Sequence, residues 1–296
     1  MKKYFVGWAK AVVFLRSTCP LLFLCLFSVV GWAESAAVLT DDVSTKLFQD
    51  KTGCFILYNL NENKTITEYN APRCAERIPP NSTFKVPLML MAFDQKLIDQ
   101  QTIFKWDGKK HELEAWNHCQ TPKTWMKNSA LWVSQLLTPQ LGLKKIQHYL
   151  KVFHYGNEDF SAGLTTAWLS RSPKSLKISA NEQLTFLKAL VNNTLPVSSD
   201  AMSNTKENIF LETTKSGWKL YGKTGAGYHN VKDRENNVPF GDAPQDGWFI
   251  GFMQKNKQTY VFVLNFSDHA KPNSTVSGGV RAKAMTQELL EKMSIM

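Results

Sequence analysis

Long apolar runs are scarce in this 296-residue chain. The longest, Pro20–Val30 (PLLFLCLFSVV), covers about 11 residues, short of the roughly 20 needed to cross a bilayer, which excludes a multi-pass membrane protein. Gly and Pro together make up only 28 residues, too few for a low-complexity or collagenous segment. Histidine is rare, with six residues, and neither an H-E-x-x-H nor a C-x-x-C occurs, so the common zinc frameworks are missing. His111, His118 and Cys119 lie close in sequence but read as loop and surface residues rather than a metal set. No Asp or Glu occurs before Glu34. No internal repeat is present.

What is there is ordinary globular composition, 43% hydrophobic and 20% charged, in a chain long enough for one or two domains with a real core. The net charge is +10, and Lys2, Lys3, Lys10 and Arg16 account for four of it. Together with the apolar run and the small residues Gly31 and Ala33, they read as a signal peptide over residues 1–33, cleaved before Glu34. An uncleaved anchor is too short, and a lipid anchor at Cys25 lacks small residues at Phe23-Leu24. One short apolar run is all that precedes the expected domain at 34–296. The mature chain then carries +6, spread rather than striped. This argues against a nucleic-acid surface and suits an anionic small molecule. Export leaves Cys54, Cys74 and Cys119 in an oxidising compartment. Cys54 and Cys74 bracket an expected hairpin and are the candidates for a pair, which leaves one free thiol.

Alternation predicts strands at 53–59 and 64–69, with Asn61-Glu62-Asn63 turning between them. Helical periodicity predicts helices at 86–93, 125–137, 143–152 and 181–191, the last with Ser179 as N-cap. Alternation returns at 218–223, 248–253 and 260–265 before a final helix at 280–293. The expected class is therefore α+β: an antiparallel sheet flanked by terminal helices, with an all-helical subdomain at roughly 88–205 inserted in it. Trp248, Phe249 and Phe252 are expected to pack on the sheet.

The chemistry begins at Ser82. Ser82-Thr83-Phe84-Lys85 follows the Pro79-Pro80-Asn81 break and opens an apolar helix. At this spacing Ser82 and Lys85 share a face, with the hydroxyl at the positive end of the helix dipole and an amine one turn on to take its proton. Alone the pattern is weak, since Ser203/Lys206 and Ser216/Lys219 repeat it. Lys223-Thr224-Gly225 adds a cation, a hydroxyl and a close-approach glycine at a strand end. Ser129-Ala130-Leu131 lies 47 residues after Ser82, and Tyr155-Gly156-Asn157 follows. The ordered set S-x-x-K, S-x-L, Y-G-N, K-T-G is far less frequent by chance than any member.

With these motifs, and with Asn81–Pro87 (NSTFKVP), Trp168-Leu169, Leu176–Ala180 (LKISA), Tyr221–Gly225 (YGKTG) and Gly247–Phe252 (GWFIGF), the mature chain resembles class D (oxacillinase-type) serine β-lactamases. No Ser-Asp-Asn, as class A requires, is present. Leu131 stands where Val is usual, and Cys119 is left without a pairing partner.

The resemblance implies the penicillin-binding-protein-like fold and hydrolysis of β-lactam antibiotics. It implies Ser82 as nucleophile, Lys85 as an N6-carboxylated general base formed with CO2 or bicarbonate, and Ser129 as proton relay. Leu131 and Trp168 would line the lysine pocket, with the Trp168 indole donating to the carbamate. The backbone N–H groups of Ser82 and Ala226 would form an oxyanion hole. Lys223, Thr224, Gly225 and Arg281 would meet the substrate carboxylate. It implies no other cofactor and no metal, a periplasmic monomer or homodimer, no nucleic-acid partner, and no stable membrane association once the signal is removed. A penicillin-binding transpeptidase or a β-lactam sensor shares the nucleophile and is the alternative. Known sensors carry a large multi-span N-terminal region, which is not expected here.

Overall fold

A computed structural model describes residues 41–169 and 174–296; the expected signal peptide at 1–33 lies outside them. Six antiparallel strands form one sheet in the order β2-β1-β6-β5-β4-β3, with β1 at Lys51–Asn59, β2 at Lys64–Tyr69, β3 at Phe210–Thr213, β4 at Lys219–Tyr228, β5 at Gln245–Lys255 and β6 at Gln258–Asp268. Between β2 and β3 the described residues contribute no strand to the sheet. They hold α2 (Ala71–Ala75), α3 (Lys85–Asp94), α4 (Pro122–Asn128), α5 (Leu131–Leu141), α6 (Leu143–Val152), α7 (Ala180–Val191) and α8 (Ser199–Asn208). Helices α1 (Asp41–Phe48) and α10 (Gly278–Lys292) stand at the two ends of the described chain, and the short α9 (Val231–Glu235) links β4 to β5.

The alternation in the strands separates two apolar layers, because successive side chains leave opposite faces of a sheet. On β5, Trp248, Ile250 and Phe252 face the layer shared with the helical segment. Phe249 and Met253 face the layer closed by Phe48 of α1 and by Met285, Leu289 and Leu290 of α10. The packing role expected for Trp248, Phe249 and Phe252 is what the structure shows. Helix α3 is apolar around its whole circumference, Lys85 and the terminal Asp94 excepted, and every residue from Lys85 to Phe93 is buried, as befits a helix surrounded by others. α7 starts as its sequence signals: the Ser179 hydroxyl accepts from Glu182 N–H, and the Glu182 carboxylate accepts from Ser179 N–H.

Cys54 on β1 and Cys74 on α2 are disulfide-bonded, with Cα atoms 5.2 Å apart and both residues fully buried. Closing a 20-residue separation contributes about 3 kcal/mol on the chain-entropy account, and ties α2 to the sheet just before the Pro79-Pro80 break. Cys119 is free and exposed.

Candidate active site

The nucleophile candidate sits where two prolines stop regular structure. Pro80 leads into a 3₁₀ turn, Asn81–Phe84, that runs directly into α3. Pro80 C=O accepts twice, from Thr83 N–H at 3.1 Å and from the Thr83 hydroxyl at 2.7 Å. The Trp248 indole donates to Pro79 C=O at 2.9 Å, so a core aromatic also anchors the break. This geometry puts Ser82 and Lys85 one turn apart, with Lys85 Nζ donating to Ser82 Oγ at 3.1 Å.

Lys85 has no solvent exposure. Burial, and then the nearby Lys223 charge, hold its amine well below the usual lysine range. Phe84 stacks on Trp168 with ring centres 5.4 Å apart, and Phe160 lies against both rings. The buried Trp168 indole N–H has no hydrogen-bond partner among the described residues. A buried indole N–H normally finds one, so this donor is open to an added acceptor. Leu131 is half-buried and packs on the same core.

The second cluster forms where β4 passes the turn. A Cβ at Gly225 would lie 3.0 Å from Pro80 O and 3.1 Å from Thr83 Cγ2, and one at Gly227 only 2.3 Å from Asn81 Oδ1. A side chain at Gly225 would crowd the turn and one at Gly227 would displace the Asn81 side chain, so glycine eases the close approach of the strand, and the approach brings Ala226 alongside Ser82. One step along, Lys223 is 4% exposed, and burial brings its amine down to about 7. Its Nζ donates to Ser129 Oγ at 3.0 Å, to Thr224 O at 2.9 Å and to Thr224 Oγ1 at 3.3 Å. The Lys223–Ser129 contact was not legible in the sequence. Ser129 lies outside helix, at φ +55° between α4 and α5. Two tryptophans brace that break: Trp116 Nε1 donates to Asn128 O at 2.8 Å, and Trp132 Nε1 donates to Trp116 O at 3.1 Å.

Ser82, Lys85, Ser129, Lys223, Thr224, Gly225 and Ala226 are thus brought together, and Trp168 joins them through Phe84. Arg281 has other partners. Its guanidinium is bidentate on Asp268 at 2.8 and 2.7 Å, its Nε donates to Val276 O at 3.1 Å, and it lies over the Phe266 ring. A substrate carboxylate would have to break a pair in which Asp268 is only 4% exposed. Arg281→Ala is therefore expected to destabilise the fold, by about 3 kcal/mol, because it strands a buried carboxylate. KM for penicillins should stay within twofold. Urea denaturation beside steady-state kinetics checks this; a raised KM with unchanged stability would return Arg281 to the substrate.

His111 packs edge-on against Trp116, and His118 faces Glu114. Among the described residues no three His, Cys, Asp or Glu side chains converge as metal ligands. A cavity of about 780 Å³ lies between α8, β3 and β4, but none of the candidate catalytic or substrate-binding residues line it.

Comparison with known proteins agrees with this geometry. The penicillin-binding protein transpeptidase domain family matches residues 46–291. β-Lactamase OXA-1 of Escherichia coli is 43% identical over 272 residues, 90% of this chain and 94% of the relative. The solved class D β-lactamase BAT-2 is 32% identical, with a TM-score of 0.72 over 87% of this chain and 99% of its own. The C-terminal domain of the Bacillus licheniformis BlaR penicillin-receptor is 30% identical, with a TM-score of 0.74 over 85% and 95% of the two chains.

Proposed function

This chain belongs to the class D serine β-lactamases, within the penicillin-binding protein transpeptidase family, and opens the β-lactam ring of penicillin-type antibiotics; from that premise we propose how its own residues divide the work. The observation that carries the reading is the Ser82–Lys85 contact at 3.1 Å around a fully buried lysine. Ser82 Oγ attacks the lactam carbonyl carbon and becomes acylated, while its proton is taken up at Lys85. The backbone N–H groups of Ser82 and Ala226 receive the developing oxyanion, each worth about 3 kcal/mol in the transition state. As the C–N bond breaks, Ser129 Oγ delivers its proton to the leaving nitrogen and takes in its place the proton held at Lys85, and Lys223 Nζ at 3.0 Å orients it. Lys223 and Thr224 meet the substrate carboxylate, and Gly225 lets the strand lie close to it. Water then attacks the acyl carbon, losing its proton toward Lys85, and the bond from that carbon to Ser82 Oγ breaks as Ser82 Oγ recovers the proton.

Lys85 fits a bound CO2. Its burial favours the neutral amine, which is the form that reacts, and the partnerless Trp168 N–H supplies a donor. As a carbamate on Lys85, CO2 supplies an anionic proton acceptor in a pocket that Leu131 and Trp168 shield from water. No further cofactor is part of the proposal.

The proposal also includes removal of residues 1–33, release to the periplasm, and one catalytic domain at 34–296 with its helical part at roughly 88–205. Among the described residues no helix is long and apolar enough to cross a membrane. The similarity to a penicillin receptor favours one other reading, a protein that is acylated and stays so. Sustained turnover of benzylpenicillin by purified protein tests the assignment. A hydrolase consumes many equivalents, whereas a sensor or transpeptidase stops near one. N-terminal sequencing of the same sample should return Glu34; Met1 would reject processing.

A further inference from the structure

We propose that Gln183, on α7, is a positioning residue for the nucleophile, acting through the hydroxyl of Thr83. The inference rests on Ser82 being that nucleophile. Gln183 Nε2 donates to Thr83 Oγ1 at 3.0 Å and to Tyr155 OH at 3.2 Å. All three side chains are fully buried. A hydroxyl has one proton, so accepting from Gln183 commits the Thr83 proton to Pro80 C=O, 2.7 Å away. That carbonyl closes the 3₁₀ turn carrying Ser82, and the Thr83 hydroxyl gives it a second donor beside Thr83 N–H.

An apolar trio of equal volume would fill this space without desolvating three polar groups. What it would not do is fix the hydroxyl rotor that locks the turn. The turn has neighbours on two sides: Lys85 one turn on, and β4 pressing on Pro80 O and Thr83 N at Gly225. A small displacement therefore changes the Ser82–Lys85 contact and the approach of Ala226 together. Tyr155, from the Y-G-N motif, accepts from the same Nε2 that donates to Thr83, which gives that motif a role at a distance from the reacting atoms.

A double-mutant cycle tests this on the purified mature enzyme with benzylpenicillin. Gln183→Met should lower kcat about tenfold, as misplacement of reacting groups does, with KM within twofold. Thr83→Val should match it, Thr83→Ser should retain wild-type kcat, and Gln183→Met/Thr83→Val should lose no more than either single variant, since both act along one path. A kcat within twofold of wild type in Gln183→Met, or losses that multiply in the double variant, overturns the proposal. Should Gln183→Met fail to fold, equal kcat in Thr83→Val and Thr83→Ser overturns it instead. The nucleophile has its own separate readout, the adduct mass of Ser82→Ala, so failure of one assignment is not mistaken for failure of the other.

Discussion

Ser82→Ala is expected to lower penicillin turnover by about 10⁴-fold or more and to leave no acyl adduct in the intact mass after incubation with benzylpenicillin. The reason is geometric as well as chemical. Of the three Ser-x-x-Lys matches, only Ser82 has its lysine as a partner. Lys206 of the second match donates to Asn193 Oδ1. Ser216 of the third bonds the Thr214 hydroxyl, and its Lys219 is exposed on β4. Neither alternative opens a buried helix, so neither sets a fully buried amine against the hydroxyl. The substitution removes one half-buried oxygen and leaves the Pro80–Thr83 bonds intact, so the thermal midpoint should move by only a few degrees. A penicilloyl adduct on the mutant, at any site, would sink the assignment of Ser82.

Where the sequence was legible, a local rule and the tertiary demand coincide. The Ser179–Glu182 capping box marks α7, and short segments bounded by their own turn signals mark β1, β2, β5 and β6, although β1, β5 and β6 are buried on both faces of the sheet. Where they diverge, the reading fails in specific ways. Periodicity predicts one helix across 125–137, but the chain breaks at Ser129. Nothing in Asn128-Ser129-Ala130 announces a left-handed residue, and the cause lies in partners distant in sequence, Trp116 and Lys223. Alternation ends at Lys223, yet β4 continues to Tyr228. Gly225 and Gly227 lower strand propensity there, and they leave room where the Ser82 turn lies close to the strand. Helix α8 was missed because its sequence, SDAMSNTKEN, is mostly polar. The site was legible as a set of motifs, each of which shows what chemistry is available. The Lys223–Ser129 bond and the pairing of Arg281 with Asp268 were not, since both join residues that only the fold brings together.

The pH dependence of Lys85 is where the remaining chemistry becomes measurable. An exposed lysine, with a pKa near roughly 10.4, is almost entirely protonated at neutral pH. Burial lowers Lys85 far from that value, and the neutral amine persists to lower pH as a result. Acidification re-protonates it, and a carbamate is lost when its nitrogen takes a proton. Activity should therefore fall on the acid side and recover, severalfold, when bicarbonate is added. The alkaline side belongs to Lys223, whose amine titrates at about 7. Below that it is the cation that meets the substrate carboxylate, and above it the charge is lost. kcat/KM, which reports the free enzyme, should therefore fall as pH rises through this range, chiefly through KM. Bound substrate carboxylate favours the charged amine and moves this limb upward in kcat itself. Trp168→Phe keeps an aromatic ring against Phe84 and Phe160 but removes the indole N–H, so it should weaken the response to bicarbonate while leaving the fold in place. Carbon-13 NMR of the mature enzyme with labelled bicarbonate reads the modification directly and independently of turnover, with a carbamate resonance expected in wild type and diminished in Trp168→Phe. Full activity without that resonance, and without any bicarbonate response at low pH, would return Lys85 to the role of a plain amine.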